Sequence, residues 1–143
     1  MSEHVCRGLS EIVLIVDDVA RGAAFYRDAI RLISARPAND EWAWFRAGVE
    51  GDSCWLALHK GALLFEEHSP RKDLPMGARF GGATHFALRV DIGRLDECAA
   101  HLRGMGVEVH GPVDFDWMGA RGARSIYCFD PDGNLVELWA AVE

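Results

Sequence analysis

The chain has 143 residues, half of them apolar or aromatic, and a formal net charge of −7. This size and composition allow one ordinary domain with a sizeable core, which excludes intrinsic disorder. The negative charge argues against nucleic-acid binding, which needs clustered Lys and Arg, and against a basic membrane-surface helix. The sequence opens without the apolar segment of a signal peptide and contains no run long enough to cross a bilayer, so we expect a cytoplasmic protein.

Two segments of similar sequence, at residues 8–17 and 82–91, open the two halves of the chain. At one constant offset, Glu11 of the first segment matches His85 of the second, and glycine, leucine, valine and aspartate recur at four other positions. Apolar residues at helical spacing follow each segment, and they predict one amphipathic helix in each half. The apolar faces comprise Val19, Ala23, Tyr26 and Ile30, and then Ile92, Leu95, Ala99 and Leu102.

Three strand-like segments follow each predicted helix. They lie at residues 32–36, 41–47 and 53–59 in the first half, and at 107–111, 125–129 and 134–139 in the second. Each half therefore reads β-α-β-β-β, and we predict an α+β fold with two βαβββ modules in one domain spanning residues 1–143. The modules lie at 8–59 and 82–140, and a connector loop rich in proline and glycine lies at 60–80.

The turn before the last strand has a specific signature, Asp-Pro-Asp-Gly-Asn at residues 130–134. Proline fixes φ for a type I turn, and the glycine after it supplies a positive φ. We therefore predict a tight turn that joins the last two strands.

Three ionisable residues lie on strand faces that are otherwise apolar. Because side chains alternate along a strand, Glu11, His85 and Glu137 all point away from the helix of their own module. Each of them alone fits a plain structural role, namely a glutamate in solvent at a strand end or a hydrogen-bonded histidine in the core. Together they form a candidate site, since a carboxylate on an apolar face needs a partner.

The sequence resembles the vicinal oxygen chelate superfamily, which includes glyoxalase I, extradiol dioxygenases, methylmalonyl-CoA epimerases, fosfomycin resistance proteins and bleomycin-binding proteins. The resemblance covers about residues 8 to 140. It implies that the two modules form a curled mixed sheet, an open cup around a divalent metal ion held by Glu11, His85 and Glu137. The motifs that carry it are GLSEIVLIVDD at 8–18, THFALRV at 84–90 and SIYCFDPDGNLVEL at 125–138.

The sequence departs from these relatives at several points. The ligand on the first strand is often histidine, and here it is Glu11. The carboxylate that serves as fourth ligand in glyoxalase I corresponds to Ala57, so that ligand is missing unless His59 replaces it. Fosfomycin resistance proteins extend beyond their last strand, whereas this sequence stops at Glu143, so we expect no phosphonate-binding tail.

One histidine and two carboxylates make a hard, oxygen-rich ligand set whose charge balances a dication. This set differs from the two histidines and one carboxylate of non-haem iron oxygenases, so O₂-dependent ring cleavage ranks lower. Zn²⁺, Ni²⁺, Mn²⁺ and Fe²⁺ all remain open. The resemblance implies a substrate that chelates the ion through vicinal oxygens, with Glu137 or Glu11 as catalytic base. We therefore expect a lyase, isomerase, epimerase or transferase.

Other residues are candidates for substrate binding. Tyr127 lies on the seventh strand, and Arg121 and Arg124 lie in a predicted loop at 112–124. Arginine suits carboxylate or phosphate groups, although these arginines also have many acidic residues to pair with. Trp44 shares one strand face with Trp42. Three roles are open for these indoles, namely lining the mouth of the cup, forming a subunit contact or packing in the core.

Two other functions remain open. One is a metal-free protein of the bleomycin resistance type, which sequesters an antibiotic or another small molecule in an aromatic cleft. The other is an extradiol-type dioxygenase. The relatives are commonly homodimers, so we expect a homodimer. The sequence leaves open whether the cup is completed within one chain or by exchange of modules between two.

Overall fold

A computed structural model describes residues 5–6, 8–51, 54–61, 85–117 and 120–142. The connector predicted at 60–80 lies outside the described residues from position 62 onward. Within the described part, no helix is long and apolar enough to span a membrane.

Each half of the chain forms one helix and one four-stranded mixed sheet. The strand orders are β1-β4-β3-β2 and β5-β8-β7-β6, and the first strand of each module runs parallel to its last. This confirms the predicted α+β fold of two βαβββ modules. The elements are β1 (Glu11–Val16), α1 (Val19–Ala24), a π-helical turn (Phe25–Ala29), β2 (Ile33–Arg36), β3 (Trp42–Arg46), β4 (Trp55–Lys60), β5 (His85–Arg89), a 3-10 turn (Ile92–Arg94), α2 (Leu95–Gly104), β6 (His110–Phe115), β7 (Ala123–Phe129) and β8 (Leu135–Ala141).

The helix-facing sides of both sheets contribute to one common core. Strand alternation assigns these sides correctly, because Leu14, Val16, Val136 and Leu138 are all buried in it. We call the opposite side of each sheet its outer face. The helices supply the rest of this core through the residues predicted from helical spacing, among them Val19, Ala23, Tyr26, Leu95, Ala99 and Leu102.

A buried polar contact joins the two modules. The Tyr26 hydroxyl donates a hydrogen bond of 2.7 Å to Asp130 Oδ2, across the core from the π-helical turn to the β7–β8 turn. The turn has the predicted geometry, since the N–H of Gly133 bonds the carbonyl of Asp130 at 3.1 Å and Gly133 has φ 86°. Asp130 also accepts N–H bonds from Asp132 and Asn134, so one carboxylate organises the turn and anchors it to the first module.

The sixth strand differs from the prediction. The sequence predicts a strand at 107–111 and a loop at 112–124, whereas β6 runs from His110 to Phe115. Proline is usually excluded from a strand interior because it has no N–H to donate, whereas Pro112 lies inside β6. β6 is an edge strand with a register irregularity between His110 and Val113, and an edge position tolerates proline.

Candidate metal and substrate site

His85 and Glu137 come together on the outer face of the second sheet. β5 and β8 run parallel with Ala87 opposite Glu137, and His85 lies two residues before Ala87 on the same face. Its Nε2 is 3.0 Å from Glu137 Oε2. The His85 side chain is 54% exposed and that of Glu137 only 9%. The pair therefore has a solvent-facing imidazole and a carboxylate set into the sheet.

Two hydroxyl groups fix the carboxylate of Glu137. Ser125 Oγ donates to Oε1 at 2.6 Å, and the Tyr127 hydroxyl donates to the same oxygen at 3.1 Å. Burial first, and then the negative charge of Glu137, raise the pKa of Tyr127, so its phenol keeps its proton and remains a donor. Because Oε1 is occupied, Oε2 is the oxygen that Glu137 presents beside His85.

This pair fits a divalent ion. Two donor atoms that lie about 2.1 Å from a shared ion, at a right angle, are about 3 Å apart. The observed separation of Nε2 and Oε2 is 3.0 Å. Hydroxyl groups that orient a ligating carboxylate from behind are a common feature of metal sites. The same separation is that of a hydrogen bond between the imidazole and the carboxylate, so the role of His85 and Glu137 as ligands stays a prediction.

Glu11 lies elsewhere in the chain. It is the first residue of β1. Asp17, which follows the other end of that strand, contacts the second module, where its N–H donates a hydrogen bond of 2.9 Å to Asp132 Oδ1. At about 3.3 Å per residue, Glu11 is about 20 Å along the chain from this contact. Among the described residues, no three His, Cys, Asp or Glu side chains are close enough to hold a metal ion. A single chain therefore unites two of the three predicted ligands, His85 and Glu137.

The first sheet has no carboxylate at the position that corresponds to Glu137. Ala57 occupies that position, opposite Val13, and is fully buried. His59 lies four residues beyond the register position of Glu11, which is about 13 Å along β4. Its ring is 4.4 Å from that of Trp42. His59 is therefore part of an aromatic cluster and is not positioned to replace the missing ligand beside Glu11.

The outer face of the first sheet is aromatic. Trp42 and Trp44 stack with ring centroids 5.2 Å apart and an interplanar angle of 15°. Trp44, predicted to bind substrate, lies directly opposite Ala57 and is half-buried. Trp44 lies on the same face as Glu11, and part of its indole is exposed there. This face suits an apolar part of a substrate or a partner chain.

The structure separates the remaining predicted substrate residues. Tyr127 lies on the outer face and contacts Glu137. Arg124 lies on the opposite face of β7, where Nε donates to Asp114 Oδ1 at 2.6 Å and lowers the pKa of that carboxyl. Arg121 is exposed in the turn before β7. Only Tyr127 of these three is therefore brought to the pair.

Strand alternation places Ser125 beside Tyr127, but its contact with Glu137 was not predicted from the sequence. Ser125 is fully buried and makes the shortest hydrogen bond to Glu137, from the strand position opposite Trp139. The available signal was its position on the same face as Tyr127, two residues earlier on a strand otherwise rich in apolar side chains. A buried serine on such a face needs a polar partner, and Glu137 on the next strand is that partner.

Removing the Ser125 hydroxyl should loosen the carboxylate without removing a ligand. We expect Ser125→Ala to weaken divalent-metal binding by about 10- to 100-fold, the usual effect of losing a group that orients a ligand. Isothermal titration with Mn²⁺ and Zn²⁺ measures this change. Ser34→Ala is the matched control, because Ser34 hydrogen-bonds a backbone carbonyl in β2. Equal affinities for Ser125→Ala and the wild type would contradict the orienting role.

Comparison with known proteins gives a consistent result. A sequence profile described as the Glyoxalase/Bleomycin resistance protein/Dioxygenase superfamily matches residues 8–138. Metallothiol transferase FosB from Staphylococcus saprophyticus is 24% identical over 132 residues, covering 92% of this chain and 76% of that protein. Lactoylglutathione lyase from Agrobacterium tumefaciens has a TM-score of 0.68 and 24% identity, covering 96% of each chain.

A further similar structure contains a metal. A mutant of the fosfomycin resistance protein FosX from Listeria monocytogenes, complexed with Mn(II) and 1S,2S-dihydroxypropylphosphonic acid, has a TM-score of 0.63 and 23% identity. The match covers 96% of this chain and 93% of that one. At these identities, the two structures establish the fold.

Proposed function

The chain belongs to the Glyoxalase/Bleomycin resistance protein/Dioxygenase superfamily, and we propose that it is a divalent-metal-dependent enzyme acting on a small molecule with two adjacent oxygen atoms. Two similar proteins, a metallothiol transferase and a lactoylglutathione lyase, favour transferase or lyase chemistry within the range expected from the sequence. Mn(II) in the similar Listeria structure supports a divalent ion, without deciding among Mn²⁺, Zn²⁺, Ni²⁺ and Fe²⁺.

One observation carries this proposal, namely that Glu137 is buried, oriented by two hydroxyls and held 3.0 Å from His85. His85 Nε2 and Glu137 Oε2 would be the ligands from this chain. A bound ion supplies Lewis acidity, which stabilises negative charge as it develops on a substrate oxygen. Glu137 keeps its position through Ser125 and Tyr127, and the Tyr127 phenol holds its proton.

We propose that Glu11 reaches the site from a second copy of the chain. In a symmetric dimer, the outer face of the first sheet of one protomer would cover the outer face of the second sheet of its partner. Each of the two cups would then combine Glu11 from one protomer with His85 and Glu137 from the other. The catalytic-base role predicted for Glu11 or Glu137 would belong to this shared site.

The outer faces have the composition that such a dimer requires. On the second sheet, Phe129 is 52% exposed and Val113 42% exposed, and both share the face of Glu137. On the first sheet, Ile33 is 67% exposed beside the tryptophans. Large exposed apolar side chains grouped on one face mark a surface that is covered in an assembly.

Metal binding tests the proposed function. Glu137→Gln removes the charge of a buried ligand while keeping its shape, so we expect divalent-metal affinity to fall at least about 100-fold, beyond the loss caused by an orienting residue. The readout is metal content after dialysis together with calorimetric titration of Mn²⁺, Zn²⁺, Ni²⁺ and Fe²⁺.

Glu108→Gln is the matched control for this experiment. Glu108 belongs to the same module, and its side chain is 84% exposed. We expect this variant to bind metal like the wild type. A wild-type protein that binds none of the four ions, or a Glu137→Gln variant with unchanged affinity, would contradict the proposed metal site.

A further inference from the structure

A cleft of about 780 Å³ lies between the two modules, and its described lining includes neither His85 nor Glu137. Its walls come from the end of the first helical segment, the end of β3, the end of β5 and the start of α2. Arg89, a lining residue on the outer face of β5, is four residues beyond His85 and lies opposite Trp139, two residues and about 7 Å along β8 from Glu137. The volume is typical of small-molecule sites.

The cleft is positively charged in an otherwise acidic protein. Its described lining includes four arginines, Arg31, Arg46, Arg89 and Arg94, and one carboxylate, Asp91. The whole chain has a net charge of −7. Like charges repel in a confined space, so arginines that converge in one cleft are stabilised by an anion that binds between them.

Two of these arginines already hold a carboxylate of the protein. Arg94 Nε and one of its terminal nitrogens each lie 3.0 Å from the two oxygens of Glu97, and Arg31 approaches the same carboxylate at 3.3 Å. The hydrogen bonds from Arg94 and then Arg31 lower the pKa of Glu97 to about 2. Side-chain geometry at this end of the cleft is therefore suited to a planar oxyanion.

Arg31 occupies an unfavourable backbone conformation. It has φ 68°, and it is the one residue other than glycine with a positive φ in the described ranges. This left-handed region is unfavourable for a residue with a Cβ atom, and glycine is the usual occupant where a helix ends this way. Strained residues of this kind cluster at functional sites, which makes Arg31 a candidate contact for the anion.

The other two arginines have hydrogen-bonding capacity left. Neither Arg46 nor Arg89 forms an ion pair with a described residue. The guanidinium of Arg89 lies 5.0 Å from the ring centroid of Trp139. This cation–π contact fixes its position and leaves its N–H groups available, because they lie in the plane of the guanidinium. Apolar side chains, among them Leu32, Leu88 and Leu138, form the rest of the wall.

We propose that this cleft between the modules binds an amphipathic organic anion, with a carboxylate or phosphate group held by the arginines and an apolar body against the leucines. This binding adjoins the metal site but uses residues other than His85 and Glu137, so its test requires no bound metal ion. Both the charge and the apolar surface of the cleft contribute to binding. A neutral molecule of the same shape should therefore bind equally well to the wild type and to variants without the arginines.

The fluorescent dye 8-anilinonaphthalene-1-sulfonate is a suitable probe, and N-phenyl-1-naphthylamine is its uncharged counterpart. We expect Arg31→Gly and Arg46→Gln each to raise the Kd for the sulfonate on the order of tenfold, because each removes a charged donor to the anion. Binding of the uncharged dye should not change. Arg31→Gly should also leave the urea midpoint at or above the wild-type value, since glycine adopts this φ without strain.

Two controls separate this cleft from other sites. Arg103→Gln removes an exposed arginine of α2 outside the cleft lining, and it should not alter sulfonate binding. His85→Ala should also leave it unchanged. Loss of sulfonate binding in His85→Ala would place the dye at the metal site and overturn the proposal. Unchanged binding in both cleft variants, or parallel loss of both dyes, would overturn it as well.

Discussion

Mixing the Glu11→Ala and His85→Ala variants should restore metal binding that neither variant has alone. In the proposed dimer, each cup takes Glu11 from one protomer and His85 from the other. A mixed dimer therefore has one cup that lacks both ligands and one cup that is intact. If subunits exchange randomly, about half of the dimers are mixed, and about a quarter of all cups recover wild-type affinity.

This result depends on the separation of Glu11 from the His85–Glu137 pair within a chain. The contact between Asp17 and Asp132 holds the far end of β1 near the turn that precedes β8. Glu11 is at the opposite end of β1, about 20 Å along the strand from this contact. Complementation is measured as tightly bound Mn²⁺ per protomer after the two variants are unfolded together and refolded.

A matched pair of variants in one module supplies the control. His85→Ala and Glu137→Ala remove ligands from the same protomer of each cup, so their mixture has no intact cup and should bind no metal tightly. Recovery in this second mixture, or no recovery in the first, would contradict a cup shared between protomers. The size-exclusion profile of each variant shows whether dimers have formed.

The sequence predicts the composition of each module better than the arrangement of the two modules. Strand alternation correctly assigns Leu14 and Val136 to the core and Glu137 to the outer face, because side-chain period within a strand is fixed by backbone geometry. The relation between the two outer faces depends instead on contacts far apart in sequence, such as Asp17 with Asp132. No local pattern encodes such a contact, so the position of Glu11 relative to His85 did not follow from the repeat.

The arginine candidates show a second limit of sequence reasoning. The sequence places Arg124 at the end of a predicted loop, and a loop residue has no face that alternation can assign. β7 begins at Ala123, and alternation from Ser125 and Tyr127 then places Arg124 on the opposite face, paired with Asp114. A shift of two residues in one strand boundary therefore decides whether this side chain belongs to the candidate site.

Asp130→Ala should destabilise the protein more than any substitution in the metal site. Its carboxylate accepts the Tyr26 hydroxyl at 2.7 Å and three hydrogen bonds from Asp132 and Asn134. Removing it leaves buried donors without acceptors, and each such group costs about 1–3 kcal/mol. We expect a loss of about 3–4 kcal/mol in the free energy of unfolding, because the individual costs do not add fully. This lowers the urea midpoint by roughly 1–2 M.

Tyr26→Phe isolates the bond between the modules from the bonds within the turn. It removes one hydrogen bond to a charged acceptor and leaves the ring packing against Phe45 and Phe86, so we expect a smaller loss of about 1.5–3 kcal/mol. Asp40→Ala, an exposed aspartate before β3, is the matched control and should change the midpoint little. Equal stability of Tyr26→Phe and the wild type would show that this bond does not hold the modules together. A folded Asp130→Ala variant with the wild-type urea midpoint would show that the hydrogen bonds of the turn do not stabilise the protein.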